Sequence, residues 1–329
     1  MSQQNGICNR QTNETLLSLR FVFVMMVFMS HFSYRDVLSF DAGGDCGVAF
    51  FFLLSGFVLS MGYGPKIDGE TFRFARFFRR RLLKLYPLHL LSLLLFLLLF
   101  RPAIDHWLPL NALLLQSWVP DSNYYFSYNA VSWFLSSLLF CYLLFPVAYR
   151  HANWRTLTAV MSFYVAVYAI VPYSHINALL YVAPWVRFVD FFLGIMLYKV
   201  YRRYAFSHTR TSVFAIIESL LVILLVLALI AYPYADEKLR NAPLYWLVLL
   251  PFIYFFTQQK GPVSRCLQCG VLQWLGSLSM PIYMFHPIVF RSMVHFFPSL
   301  PYVVMLTLCF LVTVFLSWVI DRLFLAKIQ

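Results

Sequence analysis

Arg20 and His31 lie in one apolar run, LLSLRFVFVMMVFMSHF, and their types and spacing suit proton transfer beside an anion. Histidine exchanges protons near neutrality because its unperturbed pKa is about 6.5. Arginine stays charged, and its planar fork matches phosphate oxygens. At about 100° per residue, the step from Arg20 to His31 makes roughly three turns plus 20°, so both side chains share one helix face, about 16 Å apart. An ionisable residue on a membrane helix is expensive and marks function by default. A cation near one membrane surface and an imidazole deeper on the same face read as a path from water to a reaction site.

A second concentration of chemistry is the string RFARFFRRRLLK, residues 73–84. Arg73, Arg76, Arg80 and Lys84 follow helical spacing, as do Arg81 and Lys84. Two uses fit. One is an anchor whose long side chains snorkel to anionic lipid headgroups. The other is a polyphosphate site built from arginine forks and lysine point charges. With Lys66 and Arg79 added, the cations exceed what an anchor needs, and the two uses can coexist.

These residues need elements to position them, and composition says which. The chain has 329 residues, 61% hydrophobic and 12% charged, against about 25% charged in a soluble domain. Its 35 Phe and 21 Tyr suit lipid-facing surfaces and interfacial belts. The pattern predicts an all-α polytopic membrane bundle forming a single domain over residues 1–329, with about ten spans of roughly 20 apolar residues each. The expected spans are 16–34, 46–63, 84–101, 129–149, 156–174, 184–200, 211–232, 242–257, 270–292 and 302–320. Segment 103–128 reads as a short interfacial helix or a re-entrant piece. Most of the 25 Lys and Arg residues fall on the side that holds both termini, which the positive-inside rule makes cytosolic. No cleavable leader is expected, because the N-terminal tail is polar and no small-residue cleavage site follows the first apolar run.

The net charge of +12 follows this topology, lying between apolar segments, so no nucleic-acid partner is expected. Six cysteines are scattered, and only Cys266 and Cys269 form a CxxC pair. A single such pair without further ligands reads as two loop thiols, and no metal site is expected.

Several strings together resemble the acyltransferase 3 family of bacterial integral membrane enzymes. Arg20 followed by ten residues and His31 matches the family's Arg-x10-His pattern in its first span. GVAFFFLLSGFVLS (47–60) resembles its FFxLSGF signature, and RLLKLYPLHLL from Arg81 its RxxR-hydrophobe-Tyr-Pro string. SWFLSSLLFCYLLFP (132–146), RFVDFFLGIML (187–197) and LGSLSMPIYMFHPIVF (275–290) follow in the family's order. Two positions depart from the pattern. Lys84 fills the second place of RxxR, keeping the charge but losing the fork, and Leu138 stands where many members carry Glu. No extracytoplasmic hydrolase-like domain of the kind fused to some members is expected.

The resemblance implies transfer of an acyl group, usually acetyl, from cytosolic acyl-coenzyme A to a hydroxyl of a cell-surface saccharide or lipid-linked glycan. It implies a multi-pass protein of the bacterial inner membrane. A hydroxyl is a poor nucleophile until a base takes its proton. His31 is the expected base, or else a transient acyl carrier. Asp45, at the head of the second span, would orient His31 or contact a sugar. Arg20, Arg81, Lys84 and Arg80 would bind the donor's phosphates or orient its pantetheine arm. The alternative is a secondary transporter or acyl exporter without transfer chemistry. Transporters often carry internal repeats, and no repeat is visible here.

Other polar groups have two readings each. Arg35, Asp36, Asp41 and Asp45 form either a solvated outer loop or part of a site. Asp190 pairs with Arg187 at i, i+3, or acts in function. Glu218, in the seventh span, either recognises the acceptor or makes a structural hydrogen bond. His286 shares a face with Tyr283 and precedes a proline, which suits a kink as well as catalysis. Ser55 in LSGF lacks the strand-turn-helix context of a nucleophile elbow and is expected to serve close packing.

Overall fold

The computed structural model describes residues 2–34, 40–204 and 211–325, with side chains described for 14–34, 40–204 and 211–323. Arg35 and Asp36 lie outside the described residues. The described chain is helical throughout, without strands. The helices are α1 (Ser2–His31), α2 (Asp41–Asp68), α3 (Phe74–Phe100), α4 (Trp133–Arg150), α5 (Trp154–Ile170) and α6 (Pro184–Arg203), followed by α7 (Thr211–Ala231), α8 (Pro243–Phe256), α9 (Gly270–Ser277), α10 (Ser279–Phe296) and α11 (Tyr302–Ile320). Short helical turns connect them.

Seven described helical segments are long and apolar enough to cross a membrane. The three further expected spans are also helical, but each differs from a simple span. α5 is 17 residues long, and α6 carries Arg187, Asp190, Lys199, Arg202 and Arg203. Segment 270–292 breaks at Leu278 into α9 and α10. Beside that break, a Cβ on Gly276 would lie 1.8 Å from the Leu17 carbonyl oxygen, so α9 packs directly on the backbone of α1.

α2 is the centre of the bundle, with 67% of its span buried against 22% for α7. The exposed Ile216, Leu220, Ile223 and Leu227 of α7 form an apolar outer face. Such a face suits hydrocarbon and would aggregate in water. α2 lies almost backbone to backbone with α6. A Cβ on Gly56 would meet the Phe191 carbonyl oxygen at 2.0 Å, and one on Gly194 would meet that of Leu53 at 2.0 Å. Small residues permit this contact where lipid supplies no hydrophobic drive. Against the opposite side of α2, the Phe23 ring of α1 stacks on Phe50 at 3.7 Å.

Segment 103–128 holds a short helix, Leu108–Ala112, and is tied into the bundle through its polar residues. Buried Asn111 donates to the Ser127 carbonyl (3.0 Å) and hydroxyl (2.9 Å), while its own carbonyl oxygen accepts from His89 Nε2 of α3 (2.8 Å). Asn129, just beyond, donates to the Met284 carbonyl of α10 (2.9 Å). Each bond satisfies a group that would be costly to bury alone.

Candidate functional site

His31 is the last residue of α1 and lines a polar cavity of about 520 Å³. Its Nδ1 lies 2.9 Å from the Val27 carbonyl oxygen. A carbonyl only accepts, so Nδ1 carries the hydrogen and Nε2 keeps its lone pair. The ring is thereby fixed by its own helix in the form a general base requires. The His286 ring stands 5.0 Å away, centroid to centroid, at 69°. Its Nδ1 likewise points at the Ile282 carbonyl (3.1 Å), and its Nε2 is buried without a hydrogen-bond partner among the described residues. An orphaned buried acceptor costs about 1–3 kcal/mol. α10 continues through Pro287 to Phe296, so the proline does not end the helix that presents His286.

Asp45, on α2, lines the same cavity. Its carboxylate accepts from the Tyr232 hydroxyl at 2.9 Å, while His31 is oriented by Val27. Asp41 is also in the wall. The remaining wall comes from the turns between α5 and α6 (Tyr173, Asn177, Tyr181) and between α7 and α8 (Tyr232, Glu237, Arg240, Asn241). Two bonds join these turns to each other or to α5. The Tyr173 hydroxyl donates to Asp236 (2.8 Å), and Lys238 Nζ to the Tyr168 carbonyl (2.8 Å). The Tyr173 bond holds the exposed Asp236 carboxyl below its ordinary range. Arg240 is held by the carbonyls of Ala235 (2.9 Å) and Pro233 (2.8 Å).

Behind this wall lies a fully buried polar knot. Arg187 pairs with Asp190 at 2.8 Å, as i, i+3 spacing suggests, with side-chain exposures of 0% and 1%. Arg187 also donates to the carbonyls of Tyr181 and Asn241, two cavity-wall residues. Asp190 accepts from Trp246 Nε1 at 2.5 Å. Every charge is answered, so the pair acts as a structural tie that sets the wall.

Eleven residues before His31 on α1, Arg20 lines a smaller cavity of about 110 Å³ with Arg81, Lys84, Ser55, Tyr142 and Tyr283. Among the described residues none of these three cations makes a salt bridge, Asp321 acts on Lys84 only from a distance, and Arg81 Nε is buried without a hydrogen bond. Arg81 lies over the Tyr63 ring at 5.3 Å. Like charges converging in a low-dielectric setting require a counter-anion for stability. Arg80, one residue from Arg81 and thus about 100° around the helix, faces a different cavity of about 270 Å³ with Lys66, Arg73 and Arg76. Tyr63 borders that second cavity too, with Lys66 Nζ at 5.4 Å from its ring, and so stands between the two cation groups.

The His31 and Arg20 cavities share no lining residue. Phe51, Phe134 and Tyr283 close the Arg20 cavity on the side toward His286. Phe134 and Tyr283 are 5.1 Å apart, and the Tyr283 hydroxyl donates to the Val131 carbonyl at 3.1 Å. His286 follows Tyr283 on α10, its ring 6.1 Å away.

Glu218 does not face either cavity. Its carboxylate accepts from Gly261 N (3.0 Å), Ser264 N (3.0 Å) and Ser264 Oγ (2.6 Å), which is the structural hydrogen bonding expected as one of its readings. Cys266 and Cys269 are exposed and free. Tyr232, Arg240 and Asn241 carry no pattern in the sequence, since they sit on a turn without periodicity. The closeness of His286 to His31 has no sequence signal beyond the shared apolar setting.

A helical bundle with an apolar exterior and two cavities at different levels along α1, one of them polar, defines a multi-pass membrane protein with an internal site. A family model described as an acyltransferase domain, Acyl_transf_3, matches residues 16–322, and the chain belongs to this acyltransferase 3 family. The acyltransferase MdmB of Streptomyces mycarofaciens is 32% identical over 155 residues, covering 41% of this chain and 39% of that relative. The chain thus matches well under two thirds of that relative's length. No solved structure matches.

Proposed function

We propose that the protein transfers an acyl group, most simply acetyl, from cytosolic acyl-coenzyme A to a hydroxyl of a cell-surface saccharide or lipid-linked glycan, in the bacterial inner membrane. The observation that carries this reading is the pairing along α1. His31 keeps an Nε2 lone pair in a polar cavity, and eleven residues earlier three cations that make no salt bridge among the described residues line a second one.

In this reading the Arg20 end faces the cytosol, where the donor is made. Arg20, Arg81 and Lys84 bind donor phosphate and steer the pantetheine arm into the bundle. The neighbouring group of Lys66, Arg73, Arg76 and Arg80 takes the remaining phosphates of the nucleotide, and also meets anionic lipid. The larger cavity is polar and walled by carboxylates, amides and tyrosines, the side chains that recognise sugar hydroxyls. Asp45 holds Tyr232 and thereby one wall of that site. His31 Nε2 takes the proton of the acceptor hydroxyl, whose oxygen attacks the thioester carbonyl. For the two reactants to meet, the Phe51, Phe134 and Tyr283 rings must part and admit the thioester.

The experiment is turnover of labelled acetyl-coenzyme A by purified protein in detergent. General-base catalysis contributes about 10²–10⁴-fold, so His31→Ala loses that factor in kcat while staying folded. Arg81→Ala removes charge-assisted bonds of about 1.5–3 kcal/mol and weakens donor binding roughly 10- to 100-fold. Unchanged turnover in the first variant rejects His31 as base, and unchanged donor affinity in the second rejects the donor site.

A further inference from the structure

The two cavities raise a question of proton balance. The acceptor proton is taken at His31, in one cavity, while the thiolate leaves through the other. We propose that His286 receives this proton from His31 and passes it to the departing sulfur, an inference that rests on the acyl-transfer reading above.

Three observations carry it. The imidazoles of His31 and His286 are 5.0 Å apart by centroid and inclined edge to face at 69°, near enough that a small shift of the rings during turnover brings the two Nε2 atoms within hydrogen-bond reach. Both rings commit Nδ1–H to a carbonyl of their own helix, so only the Nε2 atoms are free to exchange a proton. His286 Nε2 is a buried acceptor that no group among the described residues satisfies. Its ring neighbours are Phe28, at 5.7 Å, and Tyr283, whose hydroxyl is already given to Val131. A buried polar atom left unpaired calls for a reason, and a partner that becomes a donor only during turnover is one.

The steps balance. The acceptor O–H bond breaks, and its proton goes to His31 Nε2. The oxygen forms a bond to the thioester carbon, and the C–S bond breaks with its electron pair on sulfur. His31, now a donor at Nε2, gives the proton to His286 Nε2. His286 then delivers it to the thiolate on the side of Tyr283, where the Arg20 cavity ends. The products are an ester and a thiol, and both histidines return to neutral. Because it hands the proton to the departing sulfur, His286 is in this proposal a catalytic residue.

The test uses the full-length protein in detergent with acetyl-coenzyme A. His286→Asn keeps an amide donor where Nδ1 stood and removes Nε2. We expect kcat to fall about 100-fold, with the donor KM and the thermal midpoint unchanged. The solvent deuterium isotope effect should change, because one proton transfer is lost. His286→Ala should recover at least part of its activity when free imidazole is added. Wild-type-like kcat in His286→Asn overturns the inference while leaving acyl transfer standing. A lower thermal midpoint with no imidazole rescue also overturns it, assigning His286 to structure. If the wild-type protein does not turn over the thioester, the acyl-transfer reading fails and this inference with it.

Discussion

Arg187→Met tests whether the buried tie behind the polar cavity holds its wall. The substitution leaves Asp190 at 1% exposure with only Trp246 as donor, and leaves the Tyr181 and Asn241 carbonyls without theirs. Stranding one member of a buried ion pair costs about 3–5 kcal/mol. The Asn241 bonds are long, at 3.3 and 3.4 Å, so that carbonyl adds little. At roughly 2 °C per kcal/mol for a large domain, the midpoint falls by about 6–10 °C. Arg187→Met with Asp190→Leu removes the stranded carboxylate and orphans only the Trp246 N–H among side chains. The double variant should regain about 2 kcal/mol relative to the single one. Thermal unfolding of the three proteins in one detergent is the assay. A single variant that melts with the wild type refutes the argument, as does a double variant that melts below the single one. Acceptor KM should rise in both variants, since Tyr181 and Asn241 line the cavity.

Two further outcomes follow from geometry described above. Arg76→Ala combined with Arg80→Ala should raise KM about tenfold for acetyl-coenzyme A, by loss of charge-assisted phosphate contacts, yet leave the phosphate-free acetyl-pantetheine unaffected. Equal effects on both donors would show that this cavity does not read phosphate. Gly194→Ala places a methyl 2.0 Å from the Leu53 carbonyl oxygen, so α2 and α6 must separate. Overpacking of this kind costs about 1–3 kcal/mol or more, measurable as a lower thermal midpoint, whereas exposed Gly62→Ala, with open space around it, should be silent.

The shared face of Arg20 and His31 was legible because helical periodicity alone fixes it, and both residues do line cavities. The Arg187–Asp190 pair was legible for the same reason. Periodicity also separates Arg80 from Arg81, yet grouping by charge put both in one site, and the structure divides them between two cavities. The break at Leu278 was hidden because hydropathy stays high across it. The close packing of Gly276 on the α1 backbone beside it was hidden too, being a tertiary contact. Tyr232, Arg240 and Asn241 were invisible because turns between spans carry no period. Glu218 looked stranded in an apolar run, since its donors Gly261 and Ser264 lie more than forty residues along the chain.

The ring barrier of Phe51, Phe134 and Tyr283 has an electrical meaning. A protein hollowed from both faces risks becoming a conduit, and each unit charge that slips across forfeits about 2.3 kcal/mol per 100 mV of stored potential. Packed aromatics leave ions no watery thread to follow. The same rings that must part for a thioester in the proposed reaction therefore keep the cell's battery from draining through the protein when they are closed.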